Sequence, residues 1–168
     1  MKPNVLLLDD DMRLLESLEC EFLDHGYQVY KCARISQIPQ DQVFTYAVVD
    51  MRLVGEFGIE AIEKLKINSP DCRIVVLSGY GSIQTAIESL KKGAVDYLTK
   101  PASFKQIENA LKGQRSVEAD NNKIPSLSQI EHEYIDYVLM QNDGNISRAA
   151  KALGLHRQSL QRKLKKYT

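Results

Sequence analysis

Residues 5–11 read Val5-Leu6-Leu7-Leu8-Asp9-Asp10-Asp11, four apolar side chains running straight into three carboxylates. A short apolar run without polar alternation is the pattern of a strand buried on both faces, as in a parallel sheet covered by helices. The arrangement returns along the chain. Tyr46–Val49 ends at Asp50, Arg73–Leu77 ends at Ser78, and Val95–Leu98 stops just before Lys100-Pro101. Tyr27–Cys32 is a further strand by its alternation. Between these runs the spacing is helical. Leu14, Leu15, Leu18 and Phe22 predict a helix over Met12–Asp24, stopped by Gly26. Ile59, Ile62 and Leu65, with the stem of Lys66, predict one over Ile59–Ile67, and a third over Ile83–Lys92 ends at Gly93. Ser103 with Gln106 is a capping box opening a last helix to about Lys112. Ile35–Phe44 contains Pro39, so its helix is short or irregular. Strands alternating with helices predict an α/β fold, a five-stranded doubly wound parallel sheet.

Composition narrows the class. The chain has 168 residues, with 22 basic and 22 acidic side chains and 43% hydrophobic residues, which suits a folded globular protein. No apolar run approaches the roughly 18 residues of a membrane span. The N-terminus turns acidic too soon for a signal peptide. Cys20, Cys32 and Cys72 are odd in number and lack any CxxC, which disfavours a disulfide framework or zinc site and fits a reducing cytoplasm. The zero net charge hides an asymmetry: residues 1–112 sum to −3 and residues 113–168 to +3. Residues 144–168 carry seven basic side chains and no acid, as a polyanion-binding module would.

In open α/β sheets ligands bind beyond the carboxyl ends of the strands. There the first strand places Asp9, Asp10 and Asp11, the third Asp50, the fourth Ser78 and the fifth Lys100. No glycine-rich phosphate loop follows the first strand, which excludes a dinucleotide fold or P-loop. Each close pair among Asp9, Asp10 and Asp50 costs about 4 kcal/mol at an effective dielectric of 20. Protons or a hard cation relieve this repulsion, and Mg²⁺ favours such oxygen ligands. Beside the cation one carboxylate becomes a poised nucleophile. Lys100 would neutralise a transferred phosphoryl group and the Ser78 hydroxyl would bond one of its oxygens.

VLLLDDD, AVVDMRL with Gly58 eight residues past Asp50, VVLSGYG and DYLTKP, in that order over residues 1–112, resemble the receiver domain of two-component response regulators. The resemblance implies a flavodoxin/CheY-like sheet of order 2-1-3-4-5. It makes Asp50 the phospho-acceptor and puts Mg²⁺ on the carboxylates of Asp10 and Asp50, the backbone carbonyl of Arg52 and, mainly through water, Asp9. It makes Ser78 the switch hydroxyl, Tyr97 the switch aromatic and Lys100 the phosphoryl contact, with a cis Lys100–Pro101 peptide. Asp11 is left as the N-cap of the first helix. Val54 departs from the proline common in the family four residues past the acceptor. The strings AVVDMRL and SGYGSIQTAIESLKKGAVDYLTKP are most similar to the RegA/PrrA/ActR family of redox-responsive regulators.

Residues 113–125 are polar and are expected to be a connector. Beyond them, over 126–168, Ser128 with Glu131 signals a helix start, and Ile130, Tyr134, Tyr137 and Val138 form its apolar stripe up to Gln141. Asn142-Asp143-Gly144 is a turn. Asn145 caps Ile146–Leu153, Gly154 ends it, and a final helix over about His156–Tyr167 buries Leu160, Leu164 and Tyr167. Two helices joined by a glycine turn, the second basic, are a helix-turn-helix pattern in a small all-α three-helix domain. NISRAAKALGLHRQSLQRKLKKY resembles the Fis-type DNA-binding domain. The resemblance makes the final helix the recognition helix, with Arg157 on guanine edges and His156 and Gln161 as further base contacts. Asn145, Ser147, Ser159, Arg162, Lys165 and Lys166 would meet phosphates.

Together the resemblances imply a cytoplasmic regulator of transcription. It takes its phosphoryl group from a sensor histidine kinase, binds double-stranded DNA as a homodimer on activation, and has no membrane partner. It is not an enzyme beyond its own Mg²⁺-dependent phosphorylation and dephosphorylation. A haloacid-dehalogenase-type phosphatase, with Asp9 as nucleophile and Asp11 as acid/base, is the rival reading. That family expects Thr or Val where Arg13 stands, and an acidic pair after the lysine that is missing here.

Overall fold

The computed structural model describes residues 2–79, 83–114 and 126–166, so Gly81, Tyr167 and the expected connector residues 115–125 lie outside the described residues. Five strands form one parallel sheet: β1 (Asn4–Leu8), β2 (Gln28–Cys32), β3 (Tyr46–Asp50), β4 (Arg73–Ser78) and β5 (Asp96–Thr99). Their order is β2-β1-β3-β4-β5, the doubly wound order expected. Period-two alternation divides each inner strand between two cores. Val5, Leu7, Val48, Val75 and Leu77 face one cluster with Leu15, Leu18 and Phe22 of α1 (Met12–Asp24) and Ile107 and Leu111 of α4 (Phe104–Lys112). The alternate residues Leu6, Leu8, Val49 and Val76 are equally buried. This double burial is why the strands read as unbroken apolar runs.

The element ends follow local chemistry. Asp11 caps α1, its carboxylate accepting the N–H groups of Arg13 and Leu14. Ser103 and Gln106 form the expected capping box of α4, which ends at Gly113 in the left-handed conformation. Between β2 and β3 only a 3₁₀ turn, Ile35–Gln37, forms where a helix would cross. Chain leading to Pro39 cannot extend it, because a residue before proline avoids helical dihedrals. The Ile35 N–H is instead donated to Glu56 Oε2 at 3.0 Å. After β3 the loop around Val54 is a tight hairpin, Arg52–Leu53 against Glu56–Phe57, turning at Gly55 with φ 75°. Helix α2 (Gly58–Asn68) and, from Ala86 on, helix α3 (Ile83–Lys91) complete the first unit. The Lys66 ammonium caps the carbonyls of Pro70 and Cys72, while its stem lies against Gly93.

The second unit contains α5 (Leu127–Gln141), α6 (Ile146–Ala152) and α7 (Arg157–Lys166). Asp143 and Gly144 both take positive φ in the turn after α5, and Asn145 caps α6 by accepting the Arg148 N–H. Ala149, Ala150 and Leu160 are buried and Leu164 half-buried. Two expectations need correction. The first long helix starts at Leu127, so Ser128 lies inside it and the Ser126 carbonyl opens the ladder to Ile130. Its buried stripe is His132, Ile135, Val138 and Leu139, whereas Ile130 and Tyr134 are exposed. Both sets keep helical spacing, and a helix apolar on two faces does not reveal by itself which one meets its neighbours.

Gly58 opens α2 directly against the end of β3. Its N–H donates to the Met51 carbonyl at 2.8 Å, and a Cβ there would overlap the Asp50 carbonyl oxygen. Gly58→Ala should therefore destabilise the protein by about 1–3 kcal/mol, the usual cost of overpacking. A urea melt checks it, and an unchanged midpoint would contradict the close approach.

Candidate functional site: a carboxylate cluster and a basic helix

The carboxyl ends of β1, β3, β4 and β5 converge. The chain leaves β1 through Asp9, buried to 3% exposure, whose Oδ1 accepts the Asp11 N–H at 2.9 Å. Asp50 ends β3 and is buried; Asp10 stays exposed. Carboxylate oxygens of Asp9, Asp10 and Asp50 all lie within 4.8 Å of one another. Ser78 closes β4, buried, and its carbonyl accepts the Lys100 N–H at 2.6 Å. That bond and the cis Lys100–Pro101 peptide bring Lys100 back over the sheet end. Its ammonium bridges Asp9 Oδ2 at 2.6 Å and Asp50 Oδ2 at 3.2 Å. The Arg52 N–H lies 3.4 Å from Asp50 Oδ1. Tyr97 is half-buried on β5.

Burial dominates the acidity of Asp50. Desolvation, reinforced by the Asp9 charge, raises its pKa to about 6 against the opposing pull of Lys100. Burial works to lower the Lys100 pKa, but Asp50 and Asp9 outweigh it and hold the ammonium charged, above its ordinary value. The cluster is thus two buried carboxylates sharing one ammonium, with a third carboxylate on the open side. An all-oxygen donor set with excess negative charge fits a hard divalent cation. Asp11 Oδ1 is engaged in capping α1, the role expected of it.

In the second unit the residues expected at DNA lie on α6, on α7 and just before them. Asn145, Ser147, His156, Arg157, Arg162, Lys165 and Lys166 are exposed, and Ser159 and Gln161 half-exposed. His156 precedes α7 rather than opening it, its carbonyl accepting the N–H groups of Ser159 and Leu160. The Asn145 side-chain oxygen is already engaged in capping, at 3.1 Å from the Arg148 N. Arg148 and Lys151 on α6 add two exposed cations beside the expected DNA contacts, both within the basic run over 144–168. The Lys163 ammonium meets Glu131 Oε1 at 2.6 Å, a pairing that nothing in the local sequence signals.

Comparison with known proteins accounts for both units. Residues 5–112 match the response regulator receiver domain and residues 126–167 the bacterial regulatory protein, Fis family. The photosynthetic apparatus regulatory protein RegA of Rhodobacter capsulatus is 39% identical over 97% of this chain and 91% of its own. The acid tolerance regulatory protein ActR of Rhizobium meliloti is 34% identical over 97% and 86%. A crystal structure of a response regulator from Burkholderia pseudomallei is 35% identical, covers 97% of this chain and 99% of its own, and superposes with a TM-score of 0.63. With its acid-lined sheet end and its basic helical unit, the chain belongs to the response regulators, joining a receiver domain to a Fis-family helix-turn-helix DNA-binding domain.

Proposed function

We propose that Asp50 is the phosphoryl acceptor and that its modification governs DNA binding by the α5–α7 unit, and through it transcription. The observation that carries this reading is the Asp50 carboxylate, buried between Asp9 and the Lys100 ammonium at the open end of the sheet. The Burkholderia pseudomallei relative, crystallised with a phosphorylated aspartic acid and a calcium ion, supports it. Residues 1–112 receive the signal, 113–125 connect and 126–168 bind DNA; the family matches, which end at 112 and resume at 126, support those bounds.

Asp50 is the nucleophile toward a phosphoryl donor, a sensor histidine kinase. Asp10 and Asp50, with Asp9 mainly through water and the Arg52 carbonyl, would hold Mg²⁺. The ion, when bound, supplies positive charge against the carboxylates and the incoming phosphoryl group. Lys100 neutralises that group and Ser78 bonds one of its oxygens. The added charge of about −1.5 to −2 draws on both side chains, and with Tyr97 shifts an equilibrium between two states. In this chemistry the receiver acts only on itself, in phosphorylation and dephosphorylation. A redox-responsive input is carried over from the resemblance of AVVDMRL and SGYGSIQTAIESLKKGAVDYLTKP to the RegA/PrrA/ActR family. Burial pushes the thiols of Cys32 and Cys72 up, the latter to about 12, which disfavours thiolate chemistry at those two positions.

On DNA, α7 occupies the major groove with Arg157 leading and His156 and Gln161 beside it, while Asn145, Ser147, Ser159, Arg162, Lys165 and Lys166 meet phosphates. The exposed row of Leu127, Ile130 and Tyr134 on α5 supports a homodimer on activation. Such a dimer would set two recognition helices about 34–36 Å apart. No helix among the described residues is long and apolar enough to cross a membrane, and the place of action is taken to be the cytoplasm, with the DNA.

Asp50→Asn should abolish labelling by radioactive acetyl phosphate while circular dichroism stays unchanged; label retained elsewhere would reassign the acceptor. The second test is the pH dependence of stability without divalent ions. The folded value of about 6 lies above the ordinary 3.8, so neutral Asp50 is favoured by folding. Its contribution is complete below about pH 4 and is lost as the pH rises through about 6. Asp50→Asn, uncharged throughout, should exceed the unsubstituted protein above pH 6 by up to about 3 kcal/mol and match it near pH 4. Added Mg²⁺ should narrow the gap by stabilising only the unsubstituted protein, and a gap independent of pH would contradict the buried charge. On DNA, Arg157→Ala should cost about 1–3 kcal/mol at one base position and relax specificity there. Lys165→Ala should weaken all sequences alike and lower the salt slope by about 1. Equal losses on every sequence for both would refute the division of roles.

A further inference from the structure

Helix α7 carries five cationic side chains, Arg157, Arg162, Lys163, Lys165 and Lys166. Among the described residues, Lys163 is the one in an ion pair, with Glu131 of α5 at 2.6 Å, a charge-assisted hydrogen bond between partly exposed groups. Its position on the helix makes this consequential. Lys163 stands four residues after Ser159 and three before Lys166, so the three share one row along the helix. The two outer members of that row are assigned to phosphates; the middle one faces a carboxylate. A partly exposed pair of this kind adds little to folding stability, because both ions remain hydrated and two long side chains are immobilised. Its larger effect is on the number of cations the helix offers to a polyanion.

We propose that Glu131 is a charge-balancing residue of the DNA interface: it holds the Lys163 ammonium off the phosphate backbone, so that α7 offers four cations rather than five. The inference rests on α7 being the DNA-facing helix. Glu131 then limits sequence-independent affinity, because each phosphate neutralised releases counterions and steepens the salt dependence by about 0.9 in log K against log salt. Over a fourfold salt range that is about a threefold change in affinity per contact. An acid at the fifth position of the first helix of the unit thus moderates a basic helix more than thirty residues away in the chain.

The test is fluorescence anisotropy of the full chain on a short labelled duplex of arbitrary sequence, between about 50 and 200 mM salt. Glu131→Gln should steepen the slope by about 0.9 and tighten binding at the low-salt end. Lys163→Gln should leave the slope where it was, and the double variant Glu131→Gln/Lys163→Gln should restore it. Lys166→Gln, the reference for a true phosphate contact, should flatten the slope by about 0.9. An unchanged slope in Glu131→Gln alongside a flattened one in Lys166→Gln would overturn the proposal. So would a flattened slope in Lys163→Gln, which would mean that Lys163 leaves Glu131 for phosphate. No change in Lys166→Gln either would instead sink the assignment of α7 to the DNA, and this inference with it.

Discussion

The Lys100 ammonium between Asp9 and Asp50 is the constraint around which the first unit is organised. Three strand ends meet there, separated by 91 residues between Asp9 and Lys100. Two buried carboxylates so close repel strongly in a medium poorer in water than bulk solvent. One cation cannot balance both, and the raised pKa of Asp50 records the remainder. The cluster is therefore held together by the sheet and not the reverse. Apolar strand interiors supply the stability that offsets a locally unfavourable set of charges. A cluster built this way is sensitive to any added charge, since its electrostatic balance is least favourable at Asp50.

The backbone around that cluster is shaped to the same end. Gly58 lets α2 begin against the Asp50 carbonyl, where a side chain would not fit. The Lys100 N–H bond to the Ser78 carbonyl ties β5 to β4 at the level of the site. Asp11 caps α1, leaving buried Asp9 and exposed Asp10 as the carboxylates that cluster with Asp50. One short acidic run thus divides its labour by position: a buried acid, an exposed acid and a cap.

The second unit obeys a different economy. Its core is small, with Ala149, Ala150 and Leu160 at the centre, and its three helices depend on turn chemistry at Asn142–Asn145 and Gly154. Its surface chemistry is almost wholly cationic on α6 and α7, with Glu131 set against one member of the row. Binding strength to a polyanion is governed by how many such cations are unmatched, so a single carboxylate on α5 has leverage beyond its part in folding.

Most of the architecture was legible in the chain. Unbroken apolar runs ending in Asp9, Asp50 and Ser78, and a shorter strand before Lys100, mark parallel strands and the edge where chemistry gathers, because side-chain period and burial are set by local pattern. Capping at Asp11, Ser103 and Asn145 was legible for the same reason: the bonds join residues two or three apart. The buried face of α5 was not. Ile130 and Tyr134 have the same helical spacing as Ile135 and Leu139, and only neighbouring helices choose between two apolar stripes. Nor were the bridge of Lys100 to two acids, the need for glycine at 58, or the pairing of Lys163 with Glu131. Each depends on distances between residues far apart in the chain, and those distances exist only once the sheet and the helices have packed.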